Sequence, residues 1–236
     1  MEYIWFIWSL ISVGIWLAIY LSLDTREKKK EMLIVSLWTS LLGLTEPIFV
    51  PEYWSPPSLF DLAMKTGFDI ESLVFSFAIG GIAVSLYERI LPIRHVSLSA
   101  AEQRSARHGF HIWALLSAPA VFIVLLLAAD LNPIYSAVVA MVTGGLATWY
   151  CRPDLKKKMF TSAFIFLALY FLYFFTLIAM SPGYVGQVWN LLAISGILIL
   201  GIPLEELLFA WSFGFIWSSV YEHVTWRKFN QSANLS

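Results

Sequence analysis

Seven stretches of this chain are apolar for about the twenty residues that a helix needs to cross the hydrocarbon core of a bilayer. They cover residues 3–23, 32–50, 70–91, 110–129, 133–151, 159–180 and 203–225. Backbone groups in lipid must satisfy their own hydrogen bonds, so spans of this kind predict helices. The composition agrees: 59% of residues are hydrophobic and only 13% are charged, where soluble domains carry about a quarter. A formal net charge of -1 offers no basic face for nucleic acid. One cysteine, Cys151, supplies neither a disulfide framework nor a thiolate metal cluster. The first apolar run follows Glu2 and lacks a basic leader and a small-residue cleavage site, so it reads as a retained span.

Lys and Arg favour cytoplasmic loops. On the seven-span reading, 14 of the 15 Lys and Arg residues fall on one side, and Lys65 alone falls on the other. This predicts an N-terminus outside and a cytoplasmic C-terminus. The apolar stretch 188–202 is too short for a span and reads as interfacial or re-entrant. The expected class is an all-α polytopic membrane protein.

The chain also repeats itself. Residues 67–88 align with residues 201–222 at an offset of 134, with nine identities in 22 positions. Among them are Glu71/Glu205, Phe75/Phe209, Gly80/Gly214 and Glu88/Glu222. Upstream, Lys28–Lys30 pairs with Lys156–Lys158, and Trp54 with Trp189. Spans one to three thus recur as spans five to seven. Span four reverses the chain between them, so both copies run in the same sense, as in transporters with parallel repeats. The expected division is 1–92 for the first three-helix repeat, 93–131 for a loop and connecting helix, 132–228 for the second repeat and 229–236 for a polar tail.

Carboxylates at bilayer depth are costly and mark function. Glu71, Glu205 and Glu206 start spans three and seven, and Glu46 lies near the same end of span two. The competing reading is structural, because acids suit the first turn of a helix and Asp69 suits an N-cap. Phe75 and Phe209 follow Glu71 and Glu205 by four residues and share their helix face. An aromatic wall of this kind suits a general acid. Glu71 and Glu205, as the matched pair, are expected to face one another. Glu88 and Glu222 are expected at the opposite surface, in ion pairs beside Arg89 and His223. The ring-dense sixth span, from Phe160 to Phe175, is mostly a packing surface, with a subset suited to line a pocket and stabilise a cation. His108 and His111 lack an acidic neighbour in sequence and give no metal site. No dinucleotide fingerprint is present, and no Lys lies within a span.

Pro203-Leu204-Glu205-Glu206, followed by Leu207-Leu208-Phe209 and closing on Tyr221-Glu222, resembles the P-x-E-E signature of the lycopene cyclase-domain family. These are membrane-embedded, non-flavin carotenoid cyclases. Glu46-Pro47 and Tyr53-Trp54 also look like family features. The first repeat departs from the signature: Asp69-Ile70-Glu71-Ser72 keeps the first Glu and loses the Pro and the second Glu. The resemblance implies two three-helix copies joined by a connecting helix. It implies cyclisation of lycopene to β-carotene through γ-carotene, with lycopene and the bilayer as partners and no cofactor. Glu205, Glu206, Glu71 and Glu46 would then be catalytic, with Phe209, Phe75, Trp54 and Trp189 against the substrate. Oligomeric state stays open. So do two alternatives: a cyclase for prenyl-extended carotenoids, and a transporter with a carboxylate site.

Overall fold

The computed structural model describes residues 3–91 and 94–230. Its helices are α1 (Ile4–Ser22), α2 (Arg26–Ser40), α3 (Glu46–Phe49), α4 (Leu62–Thr66), α5 (Ile70–Ile90), α6 (Ala100–Gln103), α7 (His111–Ala128), α8 (Pro133–Cys151), α9 (Lys156–Met180), α10 (Tyr184–Val188), α11 (Leu204–Trp217) and α12 (Val220–Thr225). Two small antiparallel ladders complete it: β1 (Arg94–Ser97) with β4 (Arg227–Asn230), and β2 (Leu198–Ile199) with β3 (Ile202–Pro203). Among the described residues, six helical segments are long and apolar enough to cross a membrane.

The expected seventh span is not one helix. Residues 203–225 divide into α11 and α12, with a turn at Ser218–Ser219. The Ser219 amide donates to Ile216 at 3.3 Å, and its hydroxyl donates to the same carbonyl. This local bonding competes with the helical ladder. Span two is likewise broken: α2 ends at Ser40, a tighter turn runs through Leu41–Thr45, and α3 follows. Stretch 188–202 lies outside any long helix and forms the β2–β3 hairpin leading into α11.

Helix α5 packs against both α1 and α2, and α11 packs against both α8 and α9. Glycine permits the close approaches. A Cβ at Gly80 would sit 2.2 Å from Thr39 Oγ1, and one at Gly214 would sit 2.9 Å from Phe166 Cβ. Helix α7 packs chiefly on α8 and turns an apolar face outward, with Leu127 84% exposed. Such a face is what lipid requires.

The two halves of the chain meet through particular side chains. Trp8 and Tyr173 stack at 4.5 Å and exchange hydrogen bonds, Trp8 Nε1 donating to the Tyr173 carbonyl and Tyr173 OH to the Trp8 carbonyl. Trp54 bridges Trp189 across the backbone at one end of the molecule. At the other end, Glu88 and Glu222 both accept from Lys158, at 2.9 and 2.5 Å. The expected partners of these two glutamates, Arg89 and His223, are engaged elsewhere: Arg89 donates to Ser22, and His223 faces Thr148. Lys158, expected in a loop, lies inside α9 and is buried, because three carboxylates surround it.

His95, on β1, joins this cluster, 3.0 Å from Glu222, 3.2 Å from Glu88 and 3.6 Å from Glu31. Burial alone would lower its pKa, but the Glu222 and Glu88 carboxylates raise it from an ordinary 6.5 to about 10. A group raised on folding stabilises the protein fully below its unfolded value and loses that contribution as pH rises through the folded one. Thermal unfolding midpoints should therefore fall between about pH 6.5 and 10. His95→Asn should remove most of that slope. A wild-type slope unchanged in the variant would assign the pH dependence elsewhere.

Candidate active site

A cavity of about 730 Å³ runs between the two halves of the molecule. Its walls come from α1, the α2–α3 region, α5, α7, α8, α9, α11 and α12, and they are overwhelmingly apolar. On one side α7 meets α3, where the Phe122 and Phe49 rings lie 6.3 Å apart. The cavity reaches from Glu206, in the first turn of α11, to Thr148 and His223 at the Lys- and Arg-rich end.

Glu206 is the polar focus. Tyr53 OH and Trp189 Nε1 donate to its Oε1 at 2.6 and 2.9 Å, and Tyr170 OH donates to its Oε2 at 2.6 Å. Each donor comes from a different place: the loop after α3, helix α9, and the stretch after α10. Burial, and then the adjoining Glu206 carboxylate, push the Tyr53 phenol well above its ordinary range, so it remains a donor. Three charge-assisted hydrogen bonds fix this carboxylate more tightly than neutral contacts would.

Glu46 lines the same cavity. Its Oε1 is buried and has no hydrogen-bond partner among the described residues. The two carboxylates thus differ in setting, one held by donors and one set in an apolar wall. Phe75, Phe209, Trp54 and Trp189 all line the cavity. Trp5 meets Trp54 edge-on at 4.8 Å, and Phe75 lies 5.5 Å from Trp5. These faces present negative quadrupole density to whatever occupies the space.

Glu71 and Glu205 do not line the cavity, and each bonds to a different loop. Glu71 Oε1 accepts from the Leu59 amide at 2.7 Å. Glu205 Oε1 accepts from the Ser195 amide at 2.9 Å and from Tyr135 OH at 2.6 Å. Each carboxylate leans past the start of its helix to the loop before it. Each loop there turns through left-handed backbone, at Phe60 and Asp61 in one and at Gly196 in the other. The matched pair is therefore placed to hold two equivalent loops. Position 72, which matches Glu206, is a Ser that also lines the cavity. Asp69 is the N-cap of α5, accepting from the Ser72 amide, and it also receives Trp5 Nε1 at 3.4 Å.

Tyr135 and Ser195 escape a reading of the sequence, since neither belongs to a motif or to the aligned segments 67–88 and 201–222. Tyr170 is one of many rings in α9. Only its place on the helix face turned to α11 distinguishes it.

Residues 132–224 match the family model described as lycopene cyclase. No curated protein and no solved structure matches the chain. The matched segment spans less than half of the sequence and contains Tyr170, Trp189, Glu205, Glu206 and Phe209. Glu46, Tyr53, Trp54, Glu71 and Phe75 lie outside it. With six helices long and apolar enough to cross a bilayer, the match supports carotenoid cyclisation as the class of activity. Residues 132–224 of this membrane protein are thus similar to the lycopene cyclase family.

Proposed function

We propose that the chain cyclises the ψ-end groups of lycopene to β-rings, giving γ-carotene and then β-carotene, by acid–base chemistry without net redox change. The observation that carries this reading is the pairing of two unlike carboxylates, Glu206 and Glu46, in one apolar, aromatic-lined cavity. Glu46, without a donor on Oε1, is suited to carry a proton. It protonates the terminal double bond of the polyene. The tertiary cation is attacked by the neighbouring double bond, closing a six-membered ring and moving the charge onto it. Glu206, positioned by three donors, stabilises that charge and accepts the ring proton that leaves. One proton enters and one departs, so the product is an isomer of the substrate. A water-free cavity keeps the cation from being quenched. Phe75, Phe209, Trp54 and Trp189 stabilise it through their ring faces.

Glu71 and Glu205 serve in this scheme by holding the loops that carry Trp54 and Trp189 beside the cavity. The architecture is read as two parallel three-helix repeats, α1–α2–α5 and α8–α9–α11/α12, joined by α7. Trp54 against Trp189, Glu88 beside Glu222, and β1 against β4 all bring matched segments together, which supports one axis along the membrane normal. The basic-residue asymmetry supports an outside N-terminus and a cytoplasmic C-terminus.

Solvent isotope incorporation tests the reaction. Protein reconstituted in lipid with lycopene in deuterated water, without flavin or nicotinamide, should give products carrying one deuterium per ring. Unlabelled cyclic product would mean a different initiating electrophile, as expected for a prenyl-extended substrate. An absolute need for reduced flavin would reject the scheme.

A further inference from the structure

Three metal-ligating side chains that are far apart in sequence converge where α7 begins, α8 ends and α12 turns. His111 is the first residue of α7, Cys151 the last of α8, and His223 sits within α12. One ring nitrogen from each histidine and the Cys151 sulfur all lie within 4.8 Å of one another. Cys151 Sγ is 3.8 Å from His111 Nδ1, and the two imidazoles meet edge to face at 4.5 Å. Cys151 is fully buried and His223 is 1% exposed.

The polar atoms of this group are poorly served by the protein alone. His223 Nδ1 lies 3.3 Å from Thr148 Oγ1, but its Nε2 is buried with no hydrogen-bond partner among the described residues. A buried imidazole nitrogen without a partner is costly, because it has lost its bond to water. A coordinated cation removes that cost. Thiolate and neutral imidazole are the ligands of borderline ions such as Zn²⁺, bound at about 2.0–2.3 Å. In a tetrahedral shell such ligand atoms stand roughly 3.3–3.8 Å apart. The Cys151 Sγ–His111 Nδ1 distance of 3.8 Å is already at that value, and the remaining pairs lie within 4.8 Å.

The surroundings orient the group as a metal site requires. Thr148 takes the second nitrogen of His223, the usual way an outer-shell group fixes a ligand ring. Trp226 stacks on His111 at 3.9 Å and 22°. Arg152, next to Cys151, is held by Asp154 and by the carbonyls of Glu222 and Arg227, which fixes the C-terminal end of α8 beside α12. His108 is not among the converging side chains; its Nδ1 meets Ser105 and the Glu102 carbonyl.

We propose that His111, Cys151 and His223 bind one Zn²⁺-class ion, which clasps the α7–α8 hairpin to α12 at the basic end of the cavity. The site is remote in sequence from Glu46 and Glu206, and the cyclisation scheme uses none of its residues. It stands whether or not that scheme holds.

The test is a cobalt titration of full-length protein, purified through a histidine-free tag and stripped with chelator. Wild-type protein should show a thiolate-to-cobalt charge-transfer band and tetrahedral ligand-field bands. Both should saturate at one Co²⁺ per chain and vanish on adding Zn²⁺. Cys151→Ser should lose the charge-transfer band. His223→Asn should weaken binding beyond the ~10–100-fold that loss of an outer-shell partner costs, the loss expected for Thr148→Val. His108→Asn should titrate like wild type. A featureless wild-type titration overturns the proposal, and that arm needs no variant to fold. A charge-transfer band surviving in Cys151→Ser overturns it equally.

Discussion

Glu206→Gln should lower carotenoid cyclisation by about 10² to 10⁴-fold, the usual loss when an acid–base group is removed. The substitution keeps the volume of the side chain and its place in the first turn of α11. It replaces one acceptor oxygen by an NH₂ group within a shell of three donors, Tyr53, Tyr170 and Trp189. An amide cannot accept the ring proton, nor can it offset a neighbouring cation with a full charge. Glu46→Gln should be comparably inactive, since it removes the proton that starts the reaction. Glu205→Gln and Glu71→Gln should behave differently, because their carboxylates meet the Ser195 and Leu59 amides outside the cavity. There a neutral amide still offers an oxygen to the loop, so a smaller loss is expected, expressed in substrate binding as much as in turnover. Pigment chromatography from a lycopene-producing host reads all four, with immunoblotting of membranes to normalise for protein. Full activity in Glu206→Gln, with Glu205→Gln inactive, would move the chemistry to Glu205 and reject the assignment.

Lys158→Met should cost about 3–5 kcal/mol of stability, the range for breaking a buried ion pair from one side. The ammonium is 1% exposed and sits 2.5 Å from Glu222, 2.9 Å from Glu88 and 3.9 Å from Glu31. Without it, three carboxylates share a buried site with His95 as their cationic partner among the described residues. The loss comes from stranded charge rather than from the lost attraction alone. Lys158→Met combined with Glu88→Gln and Glu222→Gln should therefore recover most of it, because well-packed neutral groups often replace a buried ionic cluster at little cost. Thermal unfolding in detergent measures both variants. A Lys158→Met protein as stable as wild type would show that the cluster is solvated and would remove it from the account of how the two halves are joined.

Much of the molecule was legible because membrane insertion makes hydrophobicity nearly sufficient. In lipid, an apolar run of the right length has to be helical, so α1, α5, α7, α8 and α9 follow from composition along the chain. The identities between the two halves of the sequence fall on residues that make contacts: Gly80 and Gly214 at helix crossings, Trp54 and Trp189 at their bridge, Glu88 and Glu222 at one lysine. The P-x-E-E signature lies in the first turn of α11, and Glu46, Phe75, Phe209, Trp54 and Trp189, each distinctive in the sequence, line one cavity with Glu206.

What the sequence left undecided turns on direction rather than identity. Glu205 and Glu206 differ by about 100° around a helix, and nothing in their spelling says which faces the cavity. The loop amide of Ser195 settles it by taking Glu205, as Leu59 takes Glu71, which leaves Glu206 to the ring donors. The matched pair was expected at the centre because repetition was read as shared chemistry; it reflects a shared need to pin a loop. Lys158 was read as a loop charge because a lone lysine in a span is prohibitive, and only tertiary packing could bring three carboxylates around it. Ser218–Ser219 divided an apolar run that hydropathy alone makes continuous, since a helix break depends on hydrogen bonds and not on transfer free energy. Length and polarity are properties of one segment and are written in order along the chain. The aim of a carboxylate and the pairing of a buried charge depend on segments far apart in sequence, and only the folded structure brings those together.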